Sequence, residues 1–296
     1  MVTKIRQTAK NSLAAFVYFL YEKGVLHGRI QVHTIDETID ELLHTEKSMV
    51  RFGDGEIVMI GGVDLMLQKA SAEIADGLKE ILSYQHDDLL VTIPGIFDGL
   101  SDHHKASRQF WQDHLLFRRK TYETYCNPNR VYYTTFVSRC YYFAKDRTPC
   151  GGWFAKIRKI WENRDVVIVE GTRTHNGIGN DLLATAKSIE RIICPPSDAC
   201  SAISAILEAC TAYPKDRLFL LSAGVAAKFL AAELFRQGYR VLDIGNLDME
   251  YEWYVRRTPG KCKLEKHEIA GEEANRQAAL ADKAYAAYLA QVKVWL

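Results

Sequence analysis

Residues 217–244 read RLFLLSAGVAAKFLAAELFRQGYRVLDI, and this segment decides the fold. Two short apolar runs, Arg217–Ser222 and Arg240–Ile244, flank a stretch with helical spacing at Ala226–Gln237. Apolar runs of this length are typical of strands that are buried on both faces of a sheet. A strand, a helix and a second strand in succession predict a βαβ unit, in which the two strands are parallel.

The same alternation extends along the chain and predicts an α/β protein with a mostly parallel sheet, helices on both faces, and helical extensions at both ends. Three units are expected: an N-terminal helix in residues 1–30, the α/β domain in residues 31–270 and a helical tail in residues 271–296. The other predicted strands are Leu89–Pro94, Arg130–Val137, Asp165–Val169 and Arg191–Cys194. The other predicted helices are residues 3–23, Thr34–Glu46, Ala70–Ser83, Phe110–Tyr125, Asp181–Ser188 and Ala199–Ala212.

The composition is that of an ordinary soluble globular protein, with 48% hydrophobic and 25% charged residues in a chain of 296. A formal net charge of +1 argues against nucleic acid as a partner, because nucleic-acid binders usually carry a clear basic excess. The seven cysteines include no Cys-x-x-Cys pair, which argues against a disulfide framework or a zinc site. These features predict a cytoplasmic protein.

The amino terminus carries Lys4, Arg6 and Lys10 ahead of the apolar run Leu13–Leu20. The run is too short to span a bilayer, and no small-residue cleavage site follows it. A helix packed on the domain is therefore expected. The alternative interpretation is a basic, aromatic helix that rests on the inner face of a membrane as a peripheral contact. Assembly into a homo-oligomer is also left open.

A short acidic motif, Arg51-Phe-Gly-Asp-Gly-Glu56, follows a brief apolar stretch. In an extended segment the side chains of Asp54 and Glu56 would point the same way, and two carboxylates that close need a cation between them. Both residues are therefore candidate ligands of a divalent metal, which usually shares such a site with substrate phosphates. Gly53 would allow a ligand to approach the backbone. A surface turn is the alternative interpretation.

The segment from Glu170 to Asp181 follows a predicted strand and precedes a predicted helix. Backbone N–H groups of Gly177 and Gly179, together with the start of a helix at Asn180 or Asp181, could hold a phosphate. Arg173 could add a charged contact. The alternative is that Asn180 or Asp181 simply caps the helix.

Three further residues are candidates for substrate binding. Gly224 lies at a second strand–helix junction and would let a ligand approach the backbone. Arg139, beside the predicted strand Arg130–Val137, could pair with a phosphate or with a carboxylate. Arg51 could orient the acidic motif or contact a phosphate.

The densest acidic segment is Asp243–Trp253, predicted as a loop after the last strand. Its carboxylates at Asp248, Glu250 and Glu252 could supply a general base or extra metal ligands. Asp248 and Glu252 are the candidate catalytic residues. A solvated acidic loop with an aromatic anchor is the alternative.

Four of these segments, in this order, resemble motifs of the bacterial GT-D-type glycosyltransferases, which carry an Asp-x-Glu motif. The resemblance covers roughly residues 35–270. The motifs are Arg51-Phe-Gly-Asp-Gly-Glu56, Phe136-Val-Ser-Arg139, Gly177-Ile-Gly-Asn-Asp-Leu182 with Arg191-Ile-Ile-Cys-Pro195, and Asp243-Ile-Gly-Asn-Leu-Asp-Met-Glu-Tyr-Glu-Trp253.

The resemblance implies a Rossmann-like glycosyltransferase that moves a hexose from a nucleotide-sugar donor, typically UDP-glucose, with Mn²⁺ or Mg²⁺ as cofactor. It implies a glycan acceptor in surface polysaccharide or glycoprotein synthesis. By position, the Asp-x-Glu of the family maps onto Asp54 and Glu56 as metal and donor ligands. The acid before the tryptophan maps onto Glu252 as a candidate catalytic base.

The chain departs from the family pattern at two places. Asn246 stands where the family has His, and Gly224-Val-Ala-Ala stands where it has Gly-Pro-Thr-Ala. Asn246 can still hydrogen-bond a substrate but cannot carry a proton near neutral pH. The alternatives to a transferase are a non-catalytic module that binds a nucleotide sugar or carbohydrate, and another Rossmann-type nucleotide-sugar enzyme.

Overall fold

A computed structural model describes residues 2–26, 30–264 and 283–296 of the chain. In these residues nine strands form one sheet in the order β1-β4-β3-β2-β8-β7-β5-β6-β9, and every neighbouring pair is parallel. The strands are β1 Gln31–Val32, β2 Ser48–Arg51, β3 Leu89–Ile93, β4 Val131–Thr134, β5 Asp165–Gly171, β6 Ser188–Cys194, β7 Leu218–Ser222, β8 Arg240–Asp243 and β9 Val292–Trp295.

Helices connect the successive strands except β5 and β6, which are joined by a long segment of turns, and such crossover connections are what parallel pairing requires. The predicted α/β class with a mostly parallel sheet is therefore confirmed. The α-helices are α1 Val2–Glu22, α2 Ile35–His44, α3 Asp54–Ile60, α4 Ala72–Ser83, α5 Lys105–Tyr125, α6 Cys150–Ile160, α7 Ile203–Thr211, α8 Ala226–Arg236, α9 Leu247–Val255 and, after the gap in the described residues, α10 Lys283–Gln291.

The central strands lie in the hydrophobic core. Every residue of β2, β3 and β7 is buried. This matches the continuous apolar runs in the sequence, because a strand covered on both faces by helices has no solvent side. The βαβ unit predicted from residues 217–244 is present as β7, α8 and β8, with Leu218 in register with Arg240.

The N-terminal helix α1 packs on the domain. Ala14, Tyr18 and Tyr21 are buried, and the Tyr18 hydroxyl donates to the carbonyl of Ile96 at 3.0 Å. Lys10 forms an ion pair with Asp113 of α5 at 2.9 Å. These contacts confirm that the apolar N-terminal stretch is a helix that rests on the domain.

The structure corrects several local predictions. The expected helix Asp181–Ser188 is absent, and this stretch consists of turns that lead into β6. The cause is a tertiary contact: Leu182 and Leu183 are both buried, and the Trp161 indole donates to the Leu182 carbonyl at 3.0 Å. The phosphate-binding helix start predicted at Asn180 or Asp181 is therefore wrong.

Three other elements differ from expectation. The loop predicted at Gly245–Trp253 is largely the helix α9. Strand β4 is shorter than predicted because a 3-10 helix begins at Thr135. Of the predicted helical tail, residues 265–282 lie outside the described part of the chain, and α10 is followed by β9, which pairs with β6 at the sheet edge.

Candidate active site

Three neighbouring strands, β2, β8 and β7, present their carboxyl ends side by side in the middle of the sheet. From β2 the chain continues to β3 on one side of this pair of strands, whereas β8 follows β7 on the other side. The boundary between β2 and β8 is therefore a topological switch point, the place where open parallel sheets bind ligands. Arg51 ends β2 and Asp243 ends β8, and Arg51 Nε lies 3.7 Å from Asp243 Oδ1. The Ser222 hydroxyl at the end of β7 donates to the Gly245 carbonyl at 2.7 Å and links the next two strand ends.

The acidic motif is helical rather than extended. Asp54 and Glu56 are the first and third residues of α3, so the expectation that both side chains point the same way along a strand is wrong. One Glu56 oxygen, Oε2, accepts from the Gly53 N–H at 2.8 Å. This is half of a capping box, because glycine has no side chain to return the bond.

The second oxygen of Glu56 pairs with a buried lysine. Lys228 Nζ lies 2.9 Å from Glu56 Oε1 and 3.0 Å from Asp243 Oδ2, and it donates to the Gly224 carbonyl at 3.1 Å. Burial by itself would raise the pKa of Glu56, but the Lys228 charge and its hydrogen bond hold the pKa below its ordinary value. Burial would lower the pKa of Lys228, and Asp243 and Glu56 raise it instead. Both groups are therefore charged at neutral pH.

Arg51 is a buried guanidinium with open hydrogen-bonding positions. Its side chain is 10% exposed, and Nε and Nη1 are buried with no hydrogen-bond partner among the described residues. The guanidinium lies under Gly245, where an added Cβ would come within 2.3 Å of Nη2. Gly245 also has a φ of +47°, so both its conformation and the close approach require glycine. Buried donors without partners are rare and call for a ligand or water.

Asp54 faces a second group of charged residues. Burial, and then the charge of Glu56, raises the pKa of Asp54, while Arg139 and Lys261 act in the opposite direction. Within the described residues no basic group forms an ion pair with Asp54 at 4.0 Å or less. Asp54 is thus a partly buried carboxylate that the protein itself leaves without a close counter-ion.

Glu250 of α9 lies beside this group. Its Oε2 accepts from the backbone N–H groups of Tyr141 and Tyr142 at 2.9 and 2.8 Å. Its Oε1 is buried, has no hydrogen-bond partner, and lies 4.0 Å from Arg139 Nη1. Burial raises the pKa of Glu250 despite these neighbours. Arg139 and Lys261 therefore act on both carboxylates, Glu250 and Asp54, in the direction that lowers the pKa of each.

The other two acids of α9 hold the loop after β5. Asp248 Oδ1 accepts from the Gly177 N–H at 2.9 Å and from Asn180 Nδ2 at 2.7 Å. Asn180 also donates to Glu252 Oε1 at 2.7 Å, and Glu252 Oε2 accepts from Arg256 at 3.1 Å. The structure thus brings together Gly177, Asn180, Asp248 and Glu252 in a cluster held by hydrogen bonds within the protein.

The remaining predicted binding residues are dispersed. Arg173 and Gly179 are exposed on the loop after β5. Asp181 accepts from the Tyr251 hydroxyl and pairs with Arg158 at 2.7 Å. Asn246 is exposed at the start of α9, and its side chain makes no capping hydrogen bond. Their roles in substrate binding stay predictions.

The acidic motif fits a metal ion only in part. Among the described residues, no group of three or more His, Cys, Asp or Glu side chains is arranged to hold a metal. Both Glu56 oxygens are engaged, by Gly53 and by Lys228. Asp54 remains, and Mg²⁺ is commonly held by one carboxylate together with water and substrate phosphates. Asp54 therefore fits a metal that arrives with a phosphorylated ligand, whereas Glu56 as it stands does not.

Lys228 and Lys261 belong to this site, and no motif in the sequence marked them. Asp243 opens the last motif but was assigned no role in the site. A weak signal existed for Lys228, because a lysine in the first turn of a helix opposes the helix dipole and needs compensation. Its partner Glu56 lies far away in the chain, so the pairing could not be deduced from local spacing.

The sheet topology and the charged groups at its central carboxyl ends define a class: an α/β protein with charged side chains at the switch point of a parallel sheet, the place where such sheets bind ligands. Within that class the chain belongs to the glycosyltransferase family with the GT-D fold. The sequence model of this family, described as "Glycosyltransferase GT-D fold", matches residues 49–272.

Two curated relatives carry similar sequences. The chain is 38% identical over 237 residues to a probable glycosyl transferase, Gly, from Streptococcus gordonii, which covers 80% of this chain and 35% of the relative. It is 38% identical over 236 residues to the glycosyltransferase GlyD from Streptococcus pneumoniae serotype 4, covering 79% of this chain and 29% of the relative. The chain thus spans about a third of the length of these relatives.

Two solved structures are similar in fold. One is titled "A New Glycosyltransferase (DUF1792) from Streptococcus sanguinis", with a TM-score of 0.82 and 37% identity, covering 90% of this chain and 100% of that chain. The other title describes domain of unknown function 1792 as having a distinct glycosyltransferase fold. Its TM-score is 0.84 at 32% identity, covering 94% of this chain and 99% of that chain. The resemblance stated from the motifs is confirmed.

Helix α1, for which a peripheral membrane contact was predicted, has exposed apolar side chains on its surface. Leu13, Phe16 and Phe19 are about half exposed, at 53%, 58% and 50%. In residues 2–26, 30–264 and 283–296, no helix combines the length and apolarity needed to cross a bilayer. Peripheral contact with a membrane and self-association stay predictions.

Proposed function

We propose that the chain transfers a hexose, glucose in the first instance, from a UDP-sugar to a glycan acceptor, with Mn²⁺ or Mg²⁺ as cofactor. The family membership supports glycosyl transfer as the reaction. The choice of UDP-glucose as donor and of a surface glycan as acceptor rests on the motif resemblance.

One observation carries the proposal: within the part of the chain that the structure describes, the buried Arg51 guanidinium has no hydrogen-bond partner at Nε and Nη1. It lies at the carboxyl end of β2, at the switch point of the sheet. A diphosphate offers the anionic oxygens that a guanidinium binds with shorter and stronger hydrogen bonds than neutral partners do. The arrangement thus favours a ligand of the nucleoside diphosphate class.

During transfer the diphosphate gathers negative charge as the glycosidic bond breaks. Arg51 and Arg139 are the cations positioned to stabilise that charge, in a site where burial strengthens electrostatic interactions. A divalent cation held by Asp54 would supply Lewis-acid stabilisation of the same leaving group. Asp54 therefore binds and orients rather than moving a proton.

The acceptor hydroxyl must lose a proton as it attacks the anomeric carbon. The resemblance assigns this role to Glu252, with Asp248 nearby as the second candidate catalytic residue. Both carboxylates already accept hydrogen bonds from Asn180. Acceptor binding would therefore have to displace Asn180 from Glu252 before this carboxylate could act as a base.

The test compares two arginine variants. Arg51→Gln should lower the affinity for UDP-glucose about 10- to 100-fold, because hydrogen bonds to charged groups contribute about 1.5–3 kcal/mol and 1.4 kcal/mol is tenfold. Arg108→Gln, at an exposed position of α5, is the matched control and should bind like the wild type. Thermal shift with UDP-, GDP- and dTDP-sugars, with and without Mn²⁺, measures binding, since a ligand of the folded state raises its melting temperature.

Release of UDP in the presence of glycan acceptors then measures turnover. A wild-type protein that binds no nucleotide sugar would contradict the proposal. Equal binding by Arg51→Gln and the wild type would remove the observation on which it rests. Binding without any UDP release would favour the non-catalytic carbohydrate module.

A further inference from the structure

Burial of the Lys228 ammonium at its position in the fold costs free energy. It is the third residue of α8, in the helix turn where a cation opposes the dipole, and it is 3% exposed. Removing an ammonium from water costs several kcal/mol unless other charges compensate. Glu56 and Asp243 supply that compensation from two other strand ends, at 2.9 and 3.0 Å.

The ammonium occupies the space between two carboxylates, which is the place that a bridging metal ion would take. It also donates to the Gly224 carbonyl at 3.1 Å, so its position is set by three oxygens from three segments. With Gly53 bound to the other oxygen, Glu56 has no oxygen left without a partner. Asp54, two residues earlier, has no ion pair among the described residues.

We propose that Lys228 is a fixed internal cation that takes the place of a metal ion at Glu56, so that a divalent cation arriving with the donor binds Asp54 alone. The two acids of the motif then have different tasks. Asp54 is the metal ligand, and Glu56 and Lys228 are positioning residues that fix the start of α3 and, through Asp243, the end of β8. This inference rests on the proposed donor function.

The first experiment compares Asp54→Asn with Glu56→Gln. Gln at position 56 can keep the hydrogen bond to the Gly53 N–H, so this variant removes the charge but not the cap. Mn²⁺ binding in the presence of UDP is followed by the electron paramagnetic resonance signal of free Mn²⁺. Asp54→Asn should lower the Mn²⁺ affinity at least ~10-fold, and Glu56→Gln should change it less than ~3-fold.

The second experiment uses Mn²⁺ alone, without nucleotide. Lys228→Met removes the cation that lies between the buried carboxylates of Glu56 and Asp243, and the variant should gain a Mn²⁺ site that the wild type lacks. Lys228→Arg keeps the charge and should gain none. Circular dichroism melting establishes that each variant is folded before binding is measured.

An equal loss of Mn²⁺ affinity in Glu56→Gln and Asp54→Asn would overturn the inference, because Glu56 would then leave Lys228 to bind the metal. Failure of the proposed function looks different: the wild type would bind UDP with the same affinity with and without Mn²⁺. In that case the Lys228→Met variant tests the inference separately. A gained Mn²⁺ site would support the role of Lys228 as an internal cation, and the absence of a gain would contradict that role.

Discussion

The acidic motif at the end of β2 and the acidic helix α9 carry the same kind of side chain, but their carboxylates have different surroundings. In α9, Asp248 and Glu252 accept hydrogen bonds from Gly177, Asn180 and Arg256. At the end of β2, Asp54 has no close counter-ion among the described residues, and Arg51 has buried N–H groups without acceptors. Here the groups without partners, and not the number of acids, indicate where a ligand binds.

Glu250 differs from the other two acids of α9 in the surroundings of its carboxylate. It lies on the same helix as Asp248 and Glu252, yet its Oε1 has no hydrogen-bond partner and lies near Arg139. One helix thus connects the two regions. Asp248 and Glu252 fasten the loop after β5, while Glu250 faces the charged group around Asp54.

Among the variants that test this difference between the two regions, Gly245→Ala is expected to have the largest effect on stability and UDP binding. The substitution forces a left-handed φ on alanine and brings Cβ against the Arg51 guanidinium, so we expect a loss of about 3 kcal/mol in unfolding free energy. Displacing Arg51 should also abolish UDP binding. Urea unfolding and calorimetry with UDP measure the two effects.

Gly260→Ala is the matched control, because no atom of residues 2–26, 30–264 and 283–296 lies within 4 Å of the added Cβ. It should leave both the unfolding free energy and UDP affinity near wild type. If Gly245→Ala kept UDP affinity, the position of Arg51 under Gly245 would not matter for the ligand.

A smaller effect is expected from Asn180→Ala. Its amide donates to both Asp248 and Glu252, so the loss should be about 2 kcal/mol of unfolding free energy. Asn246→Ala, at an exposed site without a capping bond, should change the unfolding free energy by less than about 0.5 kcal/mol. A loss of UDP affinity in Asn180→Ala at unchanged stability would instead place this loop in the donor site.

The smallest effect is a gain in stability for Asp54→Asn. Because burial and the Glu56 charge raise the pKa of Asp54 above its ordinary 3.8, the folded state favours the protonated carboxyl. The stability from this group is therefore complete below pH 3.8 and is lost as pH rises through the raised pKa.

Asparagine does not ionise, so the variant should be more stable than the wild type at pH 7 by about 1 kcal/mol, in the range of typical stabilising substitutions. The difference should vanish below pH 3.8, and urea unfolding at several pH values measures it. A variant less stable than the wild type at pH 7 would show that Asp54 is already satisfied within the protein.

The elements that were predicted well have local signals. The helix predicted to begin at Thr34 is present as α2, and its start is stabilised by reciprocal hydrogen bonds between Thr34 and Glu37, three residues apart. The failed helix at Asp181–Ser188 had helical spacing, but the burial of Leu182 and Leu183 against the domain determined its conformation. The acidic motif follows the short apolar stretch that forms β2, but the extended geometry expected for it was wrong because Asp54 begins a helix.

The amino-acid sequence by itself determined the parallel α/β architecture and the family, because both depend on local features: apolar runs, helical spacing and short motifs in a fixed order. Only the tertiary structure decided which charged groups meet. Lys228, Glu56 and Asp243 come from three distant segments. Their pairing depends on strand order and on burial, which strengthens electrostatic interactions. Among the described residues it leaves Asp54 without an ion pair and two buried N–H groups of Arg51 without acceptors.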